Sequence, residues 1–196
     1  MTFGIIASGK SIKHLPEISN NFDECYIMNN CYKEIDHFKD IFKQKIIHHV
    51  VNSMPYEVLS EKYYNEYNIK DVYFMAPETE RYKYEKSINI LDGYGIVWHY
   101  LPQKFVKKYK NLSLYAIARA CYYHKPDTVY IVGLDFYDGD YMFEKTSKYL
   151  KEKSKRIFMV ESFNDIVSKN PEIQFEIYTV SKKIQEAKNL NIHMVK

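Results

Sequence analysis

The sequence holds only three cysteines, Cys25, Cys31 and Cys121, with no C-x-x-C spacing and an odd total. That count excludes a disulfide framework and reads as reduced thiols in a cytoplasmic protein. No run approaches the roughly 18 apolar residues of a membrane span, and the opening Met-Thr-Phe-Gly-Ile-Ile-Ala has no basic region followed by a long apolar stretch. A soluble, cytoplasmic chain without a transmembrane segment is the expectation. Charge of one sign is scarce too: 28 basic side chains face 25 acidic ones, for a net +3, too weak a bias to imply nucleic acid. No internal repeat or low-complexity linker interrupts the 196 residues, so one domain over residues 1–196 is expected.

Aromatic residues are plentiful, with 20 tyrosines and 11 phenylalanines, and read mostly as core. The basic residues cluster in two runs, Lys104, Lys107, Lys108 and Lys110, and then Lys145 to Arg156. Each reads first as a solvated face and second as an anion-binding surface.

Short apolar runs at Phe3–Ala7, Glu24–Met28, Lys45–Val51, Asp71–Met75 and Thr128–Val132 alternate with helically spaced apolar residues over Tyr32–Phe42, Pro55–Tyr67 and Leu114–Tyr123. Buried parallel strands joined by helices give such a pattern. The predicted fold is α/β: a single Rossmann-like domain, with a mostly parallel sheet and helices on both faces. The polar, lysine-rich stretch from Gly133 to Arg156 predicts a loop and a mobile helical flap, a lid over about residues 138–162. A strand at Gln174–Thr179, a helix at Lys182–Leu190 and a strand at Ile192–Val195 complete the reading.

Ligands of open α/β sheets bind at the carboxyl ends of strands, where loops and helix N-termini present backbone N–H groups. Here those ends carry Ser8-Gly9, Asn29-Asn30, Asn52-Ser53 and Gly133-Leu134-Asp135-Phe136-Tyr137, the last after the fifth predicted strand. Small and amide side chains at four ends suggest a pocket able to read a base, a ribose and a phosphate, although each is also an ordinary turn residue.

Residues Gly4 to Ser11, G-I-I-A-S-G-K-S, satisfy the P-loop pattern on paper, but Gly4 to Ala7 is itself the strand, which argues against it. Asp138-Gly139-Asp140 matches the short Asp-x-Asp element that holds a divalent ion in many sugar transferases, and equally a solvent-exposed turn. His48 and His49 are adjacent in a strand and face opposite ways, so they do not share a metal. His99 and His124 read as isolated.

The stretch V-Y-I-V-G-L-D-F-Y-D-G-D-Y-M-F, Val129 to Phe143, resembles bacterial lipooligosaccharide sialyltransferases of glycosyltransferase family 42. The opening G-I-I-A-S-G-K-S-I-K, the segment Tyr26 to Asn30 and the segment Val51 to Ser53 are similar to the family's first three strands and their ligand-facing ends. The resemblance spans roughly residues 3 to 165. It implies a modified GT-A-like domain and an inverting glycosyltransferase acting on a nucleotide-activated sugar, a CMP-sugar donor, with a glycan as acceptor. It also implies that Asn29, Asn52, Ser113 and Asp135 line the donor pocket and that Tyr137 and Tyr141 hydrogen-bond the departing phosphate; beside them, the short turn at Ser8 and Gly9 reads as one that lets the backbone approach a ligand at a helix N-terminus. Lys110 stands where the family tends to have arginine, and lysine is the less directional partner. No cofactor is required on this reading, and a divalent metal is not expected.

The family places a histidine after its flap to take the acceptor proton, whereas Met159 to Phe163 holds none and Glu161 falls closest to that position. Glu161 is therefore the expected base, if burial raises its pKa. The first turn also lacks an asparagine typical of the family, and the chain is shorter than family members at its C-terminal end. The alternatives are a nucleotide-binding module that has lost catalysis, a UDP-sugar transferase with a metal at Asp138 and Asp140, and a P-loop phosphotransferase. The lysine-rich flap leaves a nucleic-acid or other anionic acceptor open, and a homo-oligomer is compatible with the sequence.

Overall fold

The computed structural model describes residues 1–29, 32–51, 61–75, 85–100, 108–109, 111–143, 145 and 152–196. The apolar runs form β1 (Thr2–Ile6), β2 (Glu24–Met28), β3 (Ile46–Val51), β4 (Asn68–Phe74), β5 (Val97–Tyr100), β6 (Thr128–Val132), β7 (Gln174–Thr179) and β8 (Leu190–Met194). They make one eight-stranded sheet in the order β5-β4-β3-β2-β1-β6-β7-β8, parallel at every described pairing. Helices α1 (Leu15–Ile18), α2 (Tyr32–His37), α3 (Lys39–Phe42), α4 (Glu61–Glu66), α5 (Glu85–Gly93), α6 (Leu112–Arg119) and α7 (Lys153–Lys169) surround it. The chain walks outward from β1 to β5 and then returns to the other side of β1 for β6. This reversal opens a crevice at the carboxyl ends of β1 and β6, the switch point where open α/β sheets bind ligands.

Successive strand side chains point to opposite faces, so the central strands feed two cores. Phe3, Ile5, Tyr26, Ile131 and Phe175 pack with Leu114, Ile117 and Phe163 of α6 and α7 on one face. Ile6, Ile27, Val51, Phe74 and Val132 pack with Leu15, Ile35, Tyr63 and Ile88 of α1, α2, α4 and α5 on the other. Each fully buried side chain of this kind contributes about 1.5–3 kcal/mol relative to exposure. Gly4 sits inside β1 because a Cβ there would lie 2.6 Å from the Phe22 ring. Cys25 and Cys121 are buried in these cores, and burial pushes both thiols up to about 12, which keeps them inert. No helix among the described residues is long and apolar enough to cross a membrane.

Several elements differ from the expectation. The helix predicted over Tyr32–Phe42 is split into α2 and α3 at the buried Phe38, whose φ of −107° and ψ of 32° break the helical path. Helix α5 and strand β5 were not anticipated, which makes the strand ending in Val132 the sixth rather than the fifth. The helix predicted at Lys182–Leu190 is absent: residues 182–186 have no regular structure, and Leu190 already belongs to β8. Asn189 explains this, because its side-chain amide reaches the carbonyls of Val167, Asn170 and Ile173 at 3.0–3.2 Å and so pins the segment across the end of α7.

Candidate functional site

The ends of β1 and β6 interlock. Ala7 N donates to Val132 O at 2.9 Å and Gly9 N to Gly133 O at 2.8 Å. Only glycine fits at either position: a Cβ on Gly9 would stand 2.4 Å from Gly133 O, and one on Gly133, whose φ is +79°, would stand 1.9 Å from Ala7 O. Asp135 fastens this junction. Its Oδ2 accepts from Ser11 N at 2.9 Å, and its Oδ1 accepts from Val180 N at 3.2 Å and lies 3.2 Å from the Thr179 hydroxyl. Ser11 Oγ accepts from Gly133 N in return.

Above the junction lies a cavity of about 330 Å³, within the size range of small-ligand pockets. Ser8 and Gly9 line it from the end of β1, Asn29 from the end of β2, and Ser113 from the first turn of α6. Tyr137, Asp140 and Tyr141 close it from the segment after β6, with Lys33 and Glu34 of α2 and Met159 of α7 at its walls. Tyr141 is brought in by pairing with Gly9 and by the bond from Met142 N to Ser8 O at 2.9 Å.

Tyr137 is prepared as a donor. Asn111 caps α6, its side-chain oxygen accepting from Leu114 N at 3.2 Å, while its Nδ2 donates to the Tyr137 hydroxyl at 3.0 Å. With its oxygen already accepting, the phenol directs its own proton elsewhere. Burial raises the Tyr137 pKa above the ordinary phenol value, against a smaller lowering by Asn111, so the hydroxyl keeps that proton. The first turn of α6 adds the positive end of the helix dipole, suited to an anion. Asn111 was missed from sequence, although an Asn just before the apolar run Leu112 to Ile117 is an N-cap signal.

Three non-glycine residues at the cavity or beneath it hold positive φ: Asn29 (51°), Phe136 (50°) and Tyr137 (59°). Such residues cost about 1–3 kcal/mol each and persist only where their surroundings over-determine them. Phe136 is locked in the core edge-on to Phe163, with ring centroids 5.5 Å apart. Asn29 is held from both sides of its peptide, its N donating to Val50 O at 2.9 Å and its carbonyl accepting from the buried His49 Nε2 at 2.6 Å. His49 is fully buried, and burial lowers its pKa to about 4, so its ring is neutral and has one N–H to give.

The fold thus brings Ser8, Gly9, Asn29, Ser113, Asp135, Tyr137 and Tyr141 to one cavity. Asn52 and Lys110 lie outside the described residues. Asp135 lines the cavity, but its carboxylate is committed to the chain's own donors. Glu161 does not reach the site: it is exposed on α7, two residues beyond the lining Met159 and so on the other side of the helix. Its expected role as base is corrected on that ground. Asp138 also stands outside the lining, where it pairs with Lys183 and with Arg156 at 3.2 Å and accepts from Ser181 Oγ at 2.5 Å. Partial burial raises its pKa, but these partners outweigh it and hold the carboxyl below the ordinary value. A carboxylate already neutralised by two cations is a poor metal ligand, so the Asp-x-Asp pair does not act together. Lys10 is exposed and does not line the cavity, and Gly4 lies within β1, which leaves the P-loop pattern without its geometry.

No protein-family model and no curated protein sequence matches the chain. In fold, the sialyltransferase CstII from Campylobacter jejuni, solved with the substrate analogue CMP-3FNeuAc, matches 99% of this chain and 89% of its own, with a TM-score of 0.55 and 18% identity. A structure of the sialyltransferase CST-II with CMP and a trisaccharide acceptor matches 100% of this chain and 89% of its own, with a TM-score of 0.51 and 16% identity. The chain has a sialyltransferase-like fold. That sialyltransferase-like fold is the one the motif from Val129 to Phe143 led the sequence to predict, and it spans the whole chain rather than residues 3–165 alone.

Proposed function

We propose that the chain is a glycosyltransferase that takes its sugar from a CMP-linked donor, as the proteins of similar fold solved with CMP-3FNeuAc or CMP suggest. The observation that supports this most is Tyr137, a neutral phenol whose oxygen is engaged by Asn111 and whose proton is left to donate into the cavity, beside the N-terminus of α6. Cleaving a sugar–phosphate bond places growing negative charge on the leaving phosphate, and fixed donors aimed there lower the barrier. Tyr137 and Tyr141 serve as those donors. Ser8, Gly9, Asn29 and Ser113, together with Asn52 and Lys110, hold the nucleotide. In the reaction the anomeric carbon–oxygen bond to phosphate breaks, CMP leaves, and the acceptor oxygen bonds the anomeric carbon from the opposite face with inversion. The acceptor proton passes to a carboxylate, for which Glu34 and Asp140 stand at the cavity wall. No metal takes part, because hydroxyls and a lysine suffice for a monophosphate leaving group. The placement of Glu161 favours a second reading, in which the cavity binds nucleotide without transfer. Incubation with CMP-sugars and a panel of glycans, read by chromatography of released CMP and by NMR of the new linkage, separates the two. CMP release with an inverted product is expected, and nucleotide binding without any release refutes the transferase.

A further inference from the structure

We propose that Glu24, His48 and His124 form a binding site for a divalent ion of the zinc class, toward the amino ends of the strands and away from the donor cavity. Glu24 opens β2, His48 lies in β3, and His124 ends the π-helical turn Ala120–His124 that follows α6. One ligand atom from each of the three falls within 4.8 Å of the others. The two histidines that are distant in sequence come together under Phe3, with ring centroids 5.1 Å apart.

The surroundings orient these groups. His48 Nδ1 lies 2.7 Å from Asp71 Oδ1, and an imidazole that donates from Nδ1 to a carboxylate presents its Nε2 lone pair outward, the outer arrangement typical of metal-ligating histidines. That Nε2 faces Glu24 Oε2 at 3.0 Å. Two electron-rich atoms at this separation must share a positive centre, either a proton or a cation. A proton serves a single pair, whereas here a third donor atom, on His124, lies within 4.8 Å of both. Tyr26 bonds His124 Nε2 at 3.1 Å and fixes that ring. Asp71 is further held by the Tyr73 hydroxyl at 2.9 Å, which in turn accepts from Arg119 at 2.8 Å. Two imidazoles and one carboxylate are a donor set suited to zinc, with a fourth position left for water. His48 is buried, while the Glu24 side chain is 21% exposed and His124 is partly exposed, which provides an entry path. None of the three lines the donor cavity, so the ion would staple β2 and β3 to the end of α6 and take no part in the transfer.

Titration of the metal-stripped full chain with zinc chloride in a calorimeter, with circular dichroism to verify folding, tests this. The wild type is expected to bind one equivalent, and Glu24→Gln and His124→Gln to bind at least tenfold more weakly. Asp71→Asn should weaken binding by about 10–100-fold, the range for lost outer partners. His193→Gln, on a distant histidine paired with Glu176, should bind as the wild type does. Absence of saturable binding in the folded wild type overturns the proposal. Wild-type affinity in folded Glu24→Gln and His124→Gln overturns it equally. CMP binding is expected to be the same in Glu24→Gln and the wild type, so the outcome is independent of the proposed function.

Discussion

Asn111→Asp separates the two tasks that Asn111 performs. Asp is as good an N-cap as Asn, and its charge adds about 0.3–1 kcal/mol at a helix N-terminus, so α6 should remain at least as stable. The carboxylate has no N–H, however, and can only accept from the Tyr137 hydroxyl that Asn111 Nδ2 now reaches at 3.0 Å. The phenol proton is then drawn away from the leaving phosphate. Removing one such donor costs on the order of 10²–10³ in turnover. Asn111→Ala provides the contrast: it loses the cap, worth about 1 kcal/mol, and the neutral hydrogen bond, worth about 0.5–1.5 kcal/mol, so it should unfold at lower urea. Urea denaturation and the rate of CMP release from a CMP-sugar are the paired assays. Wild-type turnover in stable Asn111→Asp would refute the argument that Tyr137 donates to the leaving group.

Tyr137→Phe should lower turnover more than donor affinity, since hydrogen bonds to a leaving phosphate strengthen as its charge develops, and equal losses of affinity at unchanged turnover would make it a binding residue alone. Gly133→Ala should lose more than about 3 kcal/mol, from the left-handed backbone and from a Cβ that would meet Ala7 O at 1.9 Å, and a wild-type urea midpoint would contradict the interlock of β1 and β6. Asp138 has a folded-state pKa below its unfolded value, so its contribution is present above about pH 4 and is lost as pH falls through the folded value. Asp138→Asn should therefore show a shallower loss of stability on acidification than the wild type, and parallel acid limbs in denaturation would refute the pairing with Lys183 and Arg156.

The central strands were legible because β1, β2, β3 and β6 are largely buried on both faces and read as mainly apolar runs, with His48-His49 inside β3 and Glu24 at the start of β2. Strand β5 was not, because it is an edge strand with alternately exposed residues, Val97 and His99 among them, and carries no continuous apolar signal. The false helix at Lys182–Leu190 arose from Ile184, Ala187 and Leu190, whose spacing of three imitates a helical stripe. Tertiary contacts at Asn189 and Ser181 override that local pattern. In the site, residues tied to strand ends could be read from sequence, since Ser8, Gly9 and Asn29 follow apolar runs closely and Tyr137 lies five residues after Val132. Contacts between distant segments could not. Asn111 to Tyr137 and the approach of His124 to His48 depend on how α6 crosses the sheet, and His49 to Asn29 on the pairing of β3 with β2. Glu161 was misplaced for the same reason, because the phase of α7 against the cavity is set by Met159 and Phe163 packing inward.

The most direct measurement is a calorimetric titration of the protein with CMP, UDP and ATP in buffer without added magnesium or manganese. CMP should bind saturably at one site, more tightly than either of the others, and Asn29→Ala should weaken it. Binding of ATP or UDP in preference to CMP, or binding of CMP only after a divalent ion is added, would contradict a metal-independent CMP-sugar site at the ends of β1, β2 and β6.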